Sequence, residues 1–181
     1  MGLSQLLTGN TSSMEGENRF SYLCLFPSVD KEVGPGLLER NLVSASCDSS
    51  DGLLRTLEEL CDASGGLGVT VWGDRIPISH GLWPPDSSDV DIHRPLPPLD
   101  VLQNVFCGGE EFHHVFCVPP EHLDEVLSLF PQGRLTHIGF MTPREKGCRI
   151  QSSQDENCSL FFEQLGDTGF THFSGRDGNC T

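Results

Sequence analysis

"SASCDSSDGLLRTLEELCDASGGLGVTVW", residues 44–72, reads in one pass as strand, turn, helix, stop and strand. The small side chains of 44–47 suit a buried strand. From Gly52, apolar residues fall at Leu53, Leu54, Leu57, Leu60 and Cys61, the spacing of a single helical face, and Gly65 with Gly66 supplies the stop. The stretch "GVTVWGDRIP" then alternates as a strand and ends at Pro77. At the mouth of the helix, Asp48 and Asp51 flank two serines. A helix start leaves free backbone N–H groups that favour oxygen acceptors and anions, so each of these residues on its own reads as a cap. As a set they admit a second reading. Two carboxylates three apart are hard oxygen donors suited to Mg²⁺, and Ser50 can donate to a phosphate oxygen.

Outward from this unit, residues 36–43 make a plausible short helix leading into the first strand. A proline-rich acidic loop covers 84–98, and 99–106 reads as another short helix. In "GGEEFHHVFCVPPEHLDEVLSLF" a glycine turn precedes a strand over 112–118. Pro120 then opens a helix with Leu123, Val126, Leu127 and Phe130 at helical spacing. "RLTHIGFM" and "GCRIQ" read as two strands joined as a hairpin by "TPREKG". Strands and helices in irregular alternation favour a mixed sheet covered by helices over a purely parallel one.

Composition narrows the function classes. The 181 residues suit one core, and the formal net charge of −15 rests on scarce bases as much as on abundant acids, with lysine only at 31 and 146. Such a surface repels nucleic acid and anionic membrane, so neither is an expected partner, and a small anionic ligand would need a cation between itself and the protein. The eight cysteines are irregularly spaced with no CxxC pair, and several lie in apolar runs, which suits reduced thiols in or near the core. The first residues lack the basic start and long apolar run of a signal peptide, and no stretch reaches a membrane span, so the expected location is cytoplasmic.

Two more features carry candidate chemistry. Gly108 and Gly109 permit a close ligand approach just before Glu110 and Glu111. His113 and His114 point to opposite faces of the expected strand, so only one could face a site, and no third ligand at zinc spacing is nearby. Near the other end, "DTGFTHFSG" holds Phe170 and Phe173, whose plainest role is packing.

Three pieces in this order, "SASCDSSDGLLRTLEELCDASGGLGVTVWGDRIPIS", "GGEEFHHVFCVPPE" and "GFTHF", resemble thiamine-monophosphate kinases. In that family a D-x-S-D-G-L motif opens a helix, a G-G-E-D-Y-E-L-x-F-T-x-P segment follows, and G-Y/F-x-H-F closes the domain. The resemblance runs from about Val33 to Phe173. It implies an α/β fold of α+β type, a mixed β-sheet flanked by α-helices, as in the C-terminal domain of enzymes related to aminoimidazole ribonucleotide synthetase. It further implies that Asp48 and Asp51 bind Mg²⁺, that Ser50 touches ATP, and that Glu110 and Phe170 meet thiamine monophosphate. The implied reaction passes the γ-phosphoryl group of ATP to thiamine monophosphate, giving thiamine diphosphate.

The resemblance also divides the chain: a segment 1–32 holding a truncated first helix and loop, a kinase C-terminal-like domain over 33–173, and a tail over 174–181. The family's N-terminal domain has no counterpart here, Glu111 stands where an aspartate is usual, and His113 replaces an acid. The expectation is a C-terminal domain that is inactive alone, either a truncated chain or one half of an enzyme whose N-terminal domain is a separate chain, the full-length family forming homodimers. Two alternatives stand beside it: a non-catalytic ligand-binding or regulatory module that keeps the fold, and a related synthetase-type enzyme with another ATP-dependent substrate.

Overall fold

The computed structural model describes residues 30–78, 95–109, 112–131, 134–155 and 157–166. Six strands and four α-helices succeed one another in these segments: α1 (Val33–Glu39), β1 (Ala45–Asp48), α2 (Leu53–Ala63), β2 (Gly68–Trp72), α3 (Leu99–Cys107), β3 (His114–Cys117), α4 (Leu123–Leu129), β4 (Gly139–Thr142), β5 (Cys148–Gln151) and β6 (Ser159–Phe161). The expected fold class is observed, a mixed sheet with helices packed on it.

The four-stranded sheet runs β4-β2-β5-β6. β2 is its centre because "GVTV" is buried throughout, and a strand buried on both faces takes small and β-branched residues rather than alternating ones. β2 pairs antiparallel with β4 and parallel with β5, with Val71 opposite Gly139 on one side and Ile150 on the other. Leu54, Leu57 and Cys61 of α2 pack on this sheet with Leu102 and Phe106 of α3, joined by Val69, Val71, Ile150, Phe162 and Leu165. The rings of Phe106 and Phe162 meet edge to face at 5.8 Å. Buried Asp74, just past β2, accepts from Ser153 N at 2.9 Å and Ser153 Oγ at 2.6 Å, tying the ends of the parallel pair together.

The remaining strands, β1 and β3, form a separate antiparallel ladder. Against it α1 and α4 make a small second core of Val33, Leu37, Leu42 and Val126. Arg134 crosses to the start of α1, where Nε donates to Asp30 at 2.9 Å and Nη1 to Glu32 at 2.8 Å.

Several readings of the sequence are corrected. β4 and β5 are not a hairpin: β2 lies between them, and the turn over Arg144–Lys146 carries the chain across its end. Gly147 O there accepts from Val69 N at 3.2 Å, and a side chain at Gly68 would strike that carbonyl. A five-residue link matched hairpin length, but two polar-flanked strands of like composition cannot announce a third between them. β1 is only half-buried and alternates with exposed positions, so it is not the buried strand that its small residues suggested. β2 gives way to a tight turn at Gly73 before reaching Pro77. The short helix expected over 36–43 starts and ends earlier, at Val33–Glu39, and Leu127 of α4 is exposed. β6 is missing from the sequence reading, since three residues beside a loop are too few to show alternation. The six cysteines within the described residues are free thiols, of which Cys61 is buried and Cys158 exposed.

Candidate functional site

β1 runs into a turn over residues 48–52 and then into α2, and each side of this turn is fixed. Ser49, buried, continues the ladder beyond β1: its N donates to His113 O at 2.8 Å, and its Oγ accepts from His113 N at 3.1 Å. From the helix side, Thr56 Oγ1 lies 2.8 Å from Asp48 O and 3.0 Å from Gly52 O, so one hydroxyl braces both ends of the turn. Gly52 closes it at φ +99°, where a Cβ would lie 3.0 and 3.1 Å from the carbonyls of Gly108 and Phe106. Only glycine meets both demands.

This turn corrects the capping reading. The residue at the N-cap of α2 is Gly52, and it has no side-chain cap bond. Asp48 instead accepts from Ser50 Oγ at 2.6 Å, with Ser50 N at 3.4 Å. That hydrogen bond holds the Asp48 carboxyl below the usual carboxylate range, with help from His114 directly across the ladder. Asp48 is thus an exposed carboxylate, ionised and pinned by its neighbour, and Asp51 lies half-buried on the same turn. Ser50 spends its one hydroxyl proton on Asp48, so it can donate to a phosphate only by giving up that bond. Burial, and then the neighbouring Asp48 charge, pushes the Cys47 thiol up, which keeps it protonated.

On the β3 side of the ladder lies a cleft of about 660 Å³ lined by Lys31, Phe112, His113, His114, Phe116 and Arg134 among others, and it is His114, the partner of Asp48 across the ladder, that links it to the turn. Its size is that of a small-ligand pocket. The sequence reading allowed only one of the two histidines to face a site, yet both line this cleft, because the strand begins at His114 and leaves His113 just before it; the register that sets Asp48 opposite His114 was not legible. Glu110 and Phe170, the expected substrate contacts, lie outside the described residues.

Among the described residues no group of three or more His, Cys, Asp or Glu side chains could hold a metal ion by itself. The donor set of the turn fits a narrower role. Mg²⁺ takes one or two carboxylates and completes its shell with water and substrate phosphates, and Asp48 and Asp51 supply carboxylates of that kind.

No protein-family model matches the chain. It is similar to the thiamine-monophosphate kinase of Halobacterium salinarum, 29% identical over 129 residues, which is 71% of this chain and 36% of that protein. The thiamine-monophosphate kinase of Buchnera aphidicola is 27% identical over 143 residues, 78% of this chain and 39% of its own length. The chain therefore spans well under half the length of these relatives. Among solved structures, the thiamine-monophosphate kinase of Stenotrophomonas maltophilia K279a superposes with a TM-score of 0.59 at 24% identity, over 82% of this chain and 45% of that one. A protein of Thermus thermophilus gives 0.51 at 25% identity, over 78% and 42%. The similarity read from the three motifs is thereby found across most of the chain.

Proposed function

We propose that this chain is the C-terminal domain of a thiamine-monophosphate kinase, contributing one side of an Mg²⁺-dependent ATP site and acting with an N-terminal domain to phosphorylate thiamine monophosphate to thiamine diphosphate. The observation that carries the reading is the braced turn 48–52, which presents an ionised Asp48 beside Asp51 within a segment similar to two enzymes of that name. When bound, Mg²⁺ would neutralise charge on the reacting phosphates, the main catalytic need when one polyanion meets another. Asp48 and Asp51 would hold the cation, and Ser50, released from Asp48, would donate to a nucleotide oxygen. Glu110 and Phe170 contact the thiamine phosphate, and the reading draws support from the cleft at His113 and His114, on the strand that pairs with β1. The location is cytoplasmic and the assembled enzyme a homodimer.

The test is to mix the chain with a complementary N-terminal domain and follow ATP-dependent formation of thiamine diphosphate. Product that depends on Asp48 is expected, and none under any metal condition defeats the proposal. A second reading, a binding or regulatory module without catalysis, draws on the cleft at His113 and His114. Calorimetry separates the two: thiamine phosphate binding that persists without metal in the Asp48→Ala chain favours the module.

A further inference from the structure

Away from the turn, the C-terminal half of α2 meets the first residue of β5 through two sulfurs. Cys61 Sγ lies 3.9 Å from Cys148 Sγ, and the residues stand 87 apart in sequence. Cys61 is 3% exposed within the main core, whereas Cys148 is half-buried and packs against it from the edge. A disulfide needs a sulfur separation of about 2.05 Å, so the gap to close is about 2 Å, within reach of side-chain rotation at two cysteines already in contact. We propose that Cys61 and Cys148 are a modification site, a dithiol that hydroperoxides convert to a disulfide locking α2 onto the sheet.

The chemistry assigns the two thiols different parts. Burial first, and then the neighbouring Cys148, pushes the Cys61 thiol up to about 12, so it does not meet the oxidant as a thiolate. Cys148, the more accessible sulfur, attacks the hydroperoxide: an S–O bond forms, the O–O bond breaks, and the alcohol, or water from hydrogen peroxide, departs. The Cys61 sulfur then attacks the Cys148 sulfenic acid. The S–S bond forms, the S–O bond breaks, and the hydroxyl leaves as water with the Cys61 proton. Both sulfurs are oxidised by one electron each and the peroxide is reduced by two. A bridge across so long a loop restricts the unfolded chain strongly, so the oxidised form resists unfolding more.

The experiment treats the full chain with hydrogen peroxide in native buffer and in concentrated guanidinium, alkylates the remaining thiols and maps the peptides by mass. The expected result in native buffer is one dominant linkage, the Cys61 and Cys148 peptides joined with loss of two hydrogens. Dithiothreitol reverses it, Cys148→Ser abolishes it, and Cys158→Ser leaves it intact. The urea midpoint of the oxidised chain shifts upward. Linkages scattered alike in both solvents overturn the proposal, as does Cys148 oxidised to the sulfinic acid while Cys61 remains alkylatable.

Discussion

The β1–β3 ladder and the four-stranded sheet are built from strands of nearly equal length, yet they hold their residues in opposite ways. β2 and β5 are fixed by burial, with Val71 and Ile150 sealed in the core that α2 and α3 share with the sheet. β1 alternates between half-buried and exposed positions and β3 has no fully buried one, so the turn that follows β1 depends on hydrogen bonds from Ser49, Thr56 and His113. The lesson is a division of labour. Apolar burial stabilises the domain where no polar group need be exposed, and a directional lattice holds carboxylates at the surface, where a cation and its phosphates can reach them.

The sharpest break of this comparison is Ile150→Ala, expected to cost about 2–5 kcal/mol by urea unfolding, because it empties part of a core that cannot collapse around a central strand. Gly52→Ala comes next, at about 1–3 kcal/mol, since a Cβ at φ +99° is strained and also faces two carbonyls. Thr56→Val should cost about 1 kcal/mol by withdrawing the hydroxyl that braces the turn, leaving the main sheet as it is.

The ladder's own acid sensitivity is smaller and confined to one window. Chiefly through its hydrogen bond from Arg134, Asp30 is held at about 2 against an ordinary 3.8. The folded chain binds fewer protons there than the unfolded one, so this contribution is complete above about pH 4 and disappears as pH falls through 2. Arg134→Ala should flatten that limb of an acid titration followed by circular dichroism. Last, Asp48→Asn should shift the urea midpoint by no more than about 0.5 kcal/mol in free energy, as an exposed position does. Under the proposed function it should nevertheless abolish the metal dependence of ATP binding, read by calorimetry. A large loss of stability instead would show that the two regions are not separable.

The motif segment was legible because each signal in it is local. The apolar face of α2, the glycine stop and the start of the strand after it all follow from spacing within a few residues and stand where the sequence puts them, though that strand ends at Trp72. The pair Asp48 and Asp51 was also legible as a candidate, but its role as caps was not decided by helix-start chemistry. Ser50 competed for Asp48 at shorter range, and Gly52 took the N-cap position. β6 and the order of the sheet lay beyond reach, since a three-residue strand has no period to detect.

By itself, then, the sequence determined the most regular local unit of this protein, the helix α2 with its buried face and its glycine stop, and which carboxylates gather at one turn. It also carried the motif order that marks its likeness to thiamine-monophosphate kinases. Only the tertiary structure decided that β2 separates β4 from β5, that His114 faces Asp48, and that Cys61 touches Cys148. The physical reason is range. Helical faces and turns are fixed by dihedral preferences and spacing along a few residues, whereas strand order and register emerge from packing among segments far apart in the chain.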